Sequence, residues 1–128
     1  MVTFVTRGIK VSVESFYQNE YSNALTRDYM FAYSITIKNN GAKSVRLLRR
    51  HWFIVEGFGN VKQVEGEGVV GEQPILLPGE SFQYVSGCGL KTEIGKMYGT
   101  YLFKEIDDNS LFYVTIPEFK LICNEKLN

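Results

Sequence analysis

The sequence predicts an all-β fold, two antiparallel sheets stacked as a sandwich. Apolar residues recur at every second position through most of the chain, the period of half-buried strands. Eight Tyr, nine Phe and one Trp stand among 128 residues, and aromatic rings suit a pleated surface. Turn-forming Asn, Asp, Gly and Pro return about every ten residues, the spacing of a sandwich of about seven or more strands. A hydrophobic share of 45% with a charged share of 22% marks an ordered chain, and residues 1–128 read as one domain.

Ile9, Val11 and Val13 alternate with Lys10, Ser12 and Glu14 in the first strand. Residues 19–28 read as a long loop that coils briefly at most. Tyr29, Phe31, Tyr33, Ile35 and Ile37 form one face of a long second strand and are expected in the core. Asn39-Asn40-Gly41 supplies a turn, since Asn and Gly accept positive φ. A third strand spans about 45–56, with Trp52 expected to be buried against the aromatic face. Gly57-Phe58-Gly59-Asn60 is the next turn, and 61–64 is extended again. Between residues 66 and 79, four glycines and two prolines break the alternation. That stretch reads as a long irregular connection ending in the Pro78-Gly79-Glu80 turn. Strands follow at 81–88 and 97–106, then an Asp107-Asp108-Asn109 hairpin turn and a returning strand at 111–116. Pro117 has no N–H and is expected to stop that pairing. Residues 119–122 would cover an edge, and the polar tail at 124–128 is expected to fray.

Charge and composition exclude several classes. Fourteen Lys and Arg balance fourteen Asp and Glu, so no global field draws in nucleic acid or an anionic membrane. The longest apolar runs, such as Trp52-Phe53-Ile54-Val55, fall far short of a membrane span of about 20 residues. The first residues lack the basic-apolar-small order of a signal peptide, so a cytoplasmic location is expected. Cys88 and Cys123 are then expected as reduced thiols, and their separation is unlike paired zinc-ligand spacing.

Gly66, Gly68 and Gly71 form a literal G-x-G-x-x-G. In a dinucleotide site such glycines turn a strand into a helix whose N-terminus holds the pyrophosphate. Here no helix-forming segment follows, and Glu65, Glu67 and Glu72 repel phosphate. A structural or recognition loop is the favoured reading. Val69 and Val70 at its centre either tuck onto the sandwich or are presented to a partner. Glu67 and Glu72 beside them would favour a basic partner surface.

A basic run, Lys43, Arg46, Arg49, Arg50 and His51, precedes this loop. On an ideal strand Arg46 and Arg50 share a face with Trp52, while Arg49 and His51 face the other way. Such a face could grip an acidic peptide or a phosphate. The favoured alternative is a solvated strand balanced by the four Glu of residues 56–72. His51 is the sole histidine, and Ser86 or Cys88 could in principle complete a nucleophile–base pair with it. The flanking glycines of a nucleophile elbow are missing, so a packed histidine is favoured and no catalytic residue is assigned. No metal-ligand spacing and no cofactor motif survive in context.

These segments together carry a resemblance. Leu47-Leu48-Arg49-Arg50-His51-Trp52, Gly68-Val69-Val70-Gly71-Glu72-Gln73-Pro74 and Pro78-Gly79-Glu80-Ser81-Phe82-Gln83-Tyr84-Val85-Ser86-Gly87-Cys88 resemble the bacterial ApaG family. So do Met97-Tyr98-Gly99-Thr100-Tyr101 and Ile116-Pro117-Glu118-Phe119. The resemblance implies a fibronectin type III- or immunoglobulin-like sandwich. It implies a link to cobalt resistance and magnesium efflux, without an established activity. It also implies a role in protein–protein interaction, as related domains in eukaryotic F-box proteins and a DNA-polymerase-delta-interacting protein suggest. The leading expectation is therefore a non-enzymatic binding module with no cofactor. Its unidentified protein partner would meet Glu67, Val69, Val70, Glu72, Arg46 and Arg50. The rival is a small-ligand protein that binds or acts on nucleotide or pyrophosphate with a divalent cation. Edge strands and zero net charge also leave room for a homodimer.

Overall fold

The computed structural model describes residues 1–123, so the tail expected to fray at 124–128 lies outside the described residues. Among the described residues nine strands run in order: β1 (Val2–Thr6), β2 (Ile9–Tyr17), β3 (Tyr29–Asn39), β4 (Val45–Glu56), β5 (Val61–Glu67), β6 (Ile75–Leu76), β7 (Ser81–Leu90), β8 (Ile94–Glu105) and β9 (Leu111–Ile122). They form two antiparallel sheets, β1-β2-β3-β7 and β5-β4-β8-β9, with the short β6 added to β4. The loop after β2 holds one 3-10 turn, Asn19–Tyr21. No helix long and apolar enough to cross a membrane occurs among the described residues.

The core follows from the alternation. Tyr29, Phe31, Tyr33, Ile35 and Ile37 are all buried on the inner face of β3. Trp52 crosses from β4 to meet them, edge-on to Tyr33 at 5.5 Å between ring centroids, to Phe119 at 5.9 Å and to Tyr101 at 6.5 Å. Asn39 is wholly buried where the chain passes between sheets. Its side-chain amide donates to the Lys43 and Leu76 carbonyls, and its oxygen accepts from Gly41 N–H. The expected turn residue is thus also an internal anchor.

Four details depart from the sequence reading. Residues 2–6 pair with β2 as a strand of their own, although most of that strand is exposed. Pro117 does not end a strand. It lies in β9 at a bulge where the register with β8 steps from Met97↔Phe119 to Gly99↔Ile116, which absorbs its missing N–H. The stretch at 66–79 is more ordered than expected, because β5 continues through Glu67 and β6 follows. Finally, β4 carries a bulge at Leu48, where the register with β8 steps between Leu47 and Arg49. Val45 and Leu47 point inward before it, and Trp52 after it. The bulge therefore puts Arg46 and Arg50 on opposite faces, because one extra residue reverses the phase of a two-residue repeat.

The two long sides of the sandwich differ. On one, β9 packs against β1 and β2, tied by Ser15 Oγ–H donating to Lys120 O at 2.8 Å. On the other, the edge strands β5 and β7 form no ladder, and a cavity of about 440 Å³ opens between them.

Candidate functional site

The loop after β5 ends in a two-residue turn. Val69 and Glu72 exchange both backbone hydrogen bonds, at 2.8 and 2.9 Å, while Val70 and Gly71 lie at φ 43° and 81°. Two successive positive φ values define a type I′ turn, where Asn and Gly are favoured and a β-branched residue is strained. The two valines part company here. Val69 is 1% exposed and Val70 is 55% exposed, so one tucks in and the other is presented.

The loop is bolted to β4. The Leu48 carbonyl, pushed out by the bulge, accepts from Gly68 N–H at 2.8 Å and from the Gln73 side-chain amide at 2.9 Å. Leu47 N–H donates to the Pro74 carbonyl, and Arg46 Nε–H to the Gln73 carbonyl at 3.2 Å. From the opposite face, Arg50 Nη1 donates to the carbonyls of Glu67 and Gly68 at 2.9 and 3.0 Å. The three glycines serve this arrangement. A Cβ at Gly66 would lie 2.9 Å from the Arg50 guanidinium, and one at Gly68 would strike the Glu72 carbonyl. Gly71 supplies the second positive φ of the turn. The G-x-G-x-x-G thus builds a strand end and a tight turn rather than the strand-to-helix bend that cradles a pyrophosphate.

Between this turn and β7 lies the cleft. Trp52 and Met97 line its interior, Tyr33, Tyr84, Ser86 and Cys88 its β3–β7 wall, and Lys62 and Val64 its β5 wall. Both valines of the turn and Arg50 border it, whereas Arg46, Glu67 and Glu72 do not. Among the described residues no carboxylate lines it, and Arg50 and Lys62 make it cationic. Lys62 lies 3.9 Å from the Glu56 carboxylate. Arg50 is bonded to backbone carbonyls and has no carboxylate paired with it among the described residues.

Burial dominates the acid–base state of the cleft. It pushes the Tyr33 phenol up, against a hydrogen bond with Ser86 that pulls it down. It also raises Tyr84 and Tyr101, whose hydroxyls share a 2.5 Å hydrogen bond. The Cys88 thiol is pushed up to about 11, chiefly by burial. Such a thiol stays protonated at neutral pH and is a weak nucleophile. His51 stands apart from all of these, on the other face of β4. It stacks on Phe53 at 4.5 Å, with Nε2 2.9 Å from Gln63 Oε1 and Nδ1 3.1 Å from Glu65 Oε1. The basic strand and the acidic stretch therefore do meet, at His51–Glu65, but no nucleophile–base pair with Ser86 or Cys88 is assembled. Cys88 and Cys123 are both buried free thiols. No group of three or more His, Cys, Asp or Glu side chains placed to hold a metal occurs among the described residues.

The sequence reading reached Arg50 and the valines, and named Ser86 and Cys88 only as possible partners of His51; it did not assign Tyr33, Tyr84 or Lys62 to a site. The available signal was Ser86-Gly87-Cys88-Gly89, two glycines at alternate positions inside a strand.

The sequence pattern of the ApaG domain matches residues 19–105. The chain belongs to the ApaG family. It is 50% identical over 126 residues to a protein ApaG from Brucella anthropi, covering 98% of this chain and 96% of that one. Over 121 residues it is 44% identical to a protein ApaG from Paramagnetospirillum magneticum, covering 94% and 92%. Among solved structures, the ApaA protein from Bordetella pertussis is 43% identical, with a TM-score of 0.88 over 91% of this chain and 94% of that one. The ApaG match ends within β8, so the whole cleft lies inside it.

Proposed function

We propose that the chain is a non-enzymatic binding module that engages a protein partner at its open side, through the turn at 69–72 and the cleft beside it. One observation carries this reading. An apolar side chain, Val70, is held out to solvent at a strained positive φ by a loop clamped to β4 from both faces. Strain of this kind persists only where the surroundings impose it, and it concentrates at recognition sites. The cleft adds a protonated thiol and buried phenols but no nucleophile–base pair, which favours binding over catalysis. On this reading, a part in cobalt resistance or magnesium efflux is played through the partner.

The test is capture by the affinity-tagged full chain from its native cells, with the parent and with Val70→Asn. A specific partner should be retained by the parent and reduced at least fivefold by the variant, while the variant remains folded. Equal capture by both would refute the reading.

Arg50 and Lys62 favour one second reading, a small phosphate-bearing ligand in the cleft. Calorimetric titration with ATP and with pyrophosphate, each with Mg²⁺ or Co²⁺, decides it. Saturable heat at sub-millimolar ligand that Arg50→Gln abolishes would support the small ligand over the protein partner. Self-association through the free edges is tested by sedimentation, where a concentration-independent monomer would exclude it.

A further inference from the structure

The edge of β7 carries none of the usual protection. β7 runs ten residues, Ser81–Leu90, with no charged residue, no proline and no register step against β3. Natural edge strands are normally blunted by charge, proline, a bulge or shortness. The opposing edge strand β5 is defended in this way, with Lys62, Glu65 and Glu67 along seven residues.

The direction of the free backbone groups follows from two hydrogen bonds. Gln18 N–H donates to Met30 O, so even-numbered residues of β3 bond towards β2. Asn39 N–H donates to Glu80 O, so odd-numbered residues of β3 bond towards β7. Given the register Phe31↔Cys88, even-numbered residues of β7 are spent on β3. Val85, Gly87 and Gly89 then aim their N–H and C=O groups at the open edge. Ser86, Gly87, Cys88 and Gly89 all border the cleft.

The two glycines need an explanation that the fold does not supply. Neither has a positive φ. A Cβ at Gly87 would meet only the Phe31 carbonyl, at an ordinary 3.5 Å, and one at Gly89 would press the flexible end of Met30. Glycine weakens a strand relative to alanine, and inside a strand it often marks the close approach of another backbone.

We infer that the free edge of β7 at residues 85–89 receives an extended segment of a partner protein as an added strand, with an acidic side chain of that segment taken by Arg50. An added strand opposite Ser86 and Cys88 turns alternate side chains into the cleft, where apolar walls and the Arg50 guanidinium await them. Both contacts that Arg50 makes come from Nη1, which leaves Nη2 for a carboxylate. The inference rests on the proposed protein-binding function and names the chemistry of the partner.

A displayed library of random twelve-residue peptides, panned on the full chain, tests it. Enriched peptides should carry Asp or Glu among alternating apolar residues. Their binding should fall at least tenfold on Gly87→Pro and on Arg50→Gln. Proline at 87 removes an outward N–H and leaves the β3 ladder intact. A second measurement makes no change to the protein: methylating alternate backbone nitrogens of an enriched peptide should abolish its binding. No enrichment over bare beads, equal binding by Gly87→Pro, or full binding by the methylated peptide would each overturn the inference. If Gly87→Pro fails to fold, the methylated peptide decides alone. Partner capture that depends on Val70 but survives Gly87→Pro would sink the added strand and leave the proposed function standing.

Discussion

Replacing Val70 by Asn should stabilise the protein, although it exchanges an apolar residue for a polar one. Val70 sits at φ 43°. A left-handed backbone costs an ordinary L-residue about 1–2 kcal/mol. Asn is among the residues preferred at this position of a type I′ turn, so most of that cost is recovered. Against it stands lost burial. A valine wholly removed from water is worth about 1.5 kcal/mol at the low end of the range. Val70 is 55% exposed, so its loss is about 0.7 kcal/mol. The net expectation is a gain of about 0.5–1 kcal/mol. The same exchange one residue earlier has the opposite sign. Val69 is 1% exposed, and Val69→Asn should cost about 3 kcal/mol through lost contacts and a buried amide without partners. Urea unfolding at a constant slope reads both changes as shifts of the midpoint. A lower midpoint for Val70→Asn than for the parent, or no shift for Val69→Asn, would refute the division of labour between the two valines.

Gly68→Ala should cost about 3 kcal/mol, since it combines a positive φ with a Cβ driven against the Glu72 carbonyl, and the same urea titration reports it. Trp52→Ala should cost about 3–5 kcal/mol, because Trp52 is 3% exposed among three aromatic rings; thermal unfolding that barely moves would place it outside the core. Cys88 has its pKa raised from 9.0 to about 11, so its stability contribution is fully present below pH 9 and is lost as pH rises through about 11. Tyr33, Tyr84 and Tyr101, raised above 10.0, add to that fall in the same direction. Cys88→Ala should make the loss of stability between pH 9 and 11 shallower in unfolding curves, and an unchanged slope would contradict the burial assigned to the thiol.

Strands whose two faces differ were legible in the sequence. In β3 every second residue from Tyr29 to Ile37 is buried, and the period of two was visible because the other face is smaller and more polar. β1 was illegible because burial does not separate its faces: Val2, Phe4 and Val5 are all exposed and the segment is held by pairing. The bulge at Leu48 was hidden because the run Trp52-Phe53-Ile54-Val55 is apolar on both faces, and the one-residue slip moved Arg46 off the face that Arg50 shares with Trp52. Pro117 was misread for a related reason. A missing N–H is fatal only to a paired position, and a bulge offers an unpaired one. Of the candidate site, the loop was legible from its glycines. The cleft was not, because it arises where two strands fail to pair, and its Tyr33 and Tyr84 look like any other core positions from their spacing.

The Leu48 carbonyl has a consequence for how this chain can change its length. That one oxygen holds Gly68 and Gln73, and its neighbour Leu47 holds Pro74. Deleting Leu48 would restore perfect alternation to β4 with its inward residues in place, yet it would strand both donors. Adding or removing a residue between Gly68 and Gln73 would do the converse, leaving the displaced carbonyl without its clasp. The bulge and the loop length are thus locked to each other, and neither can drift alone. Natural insertions and deletions should instead gather at 57–60 and 107–110, where each connection satisfies itself through bonds such as Gly59 N–H to Glu56 O and Asn109 N–H to Glu105 O.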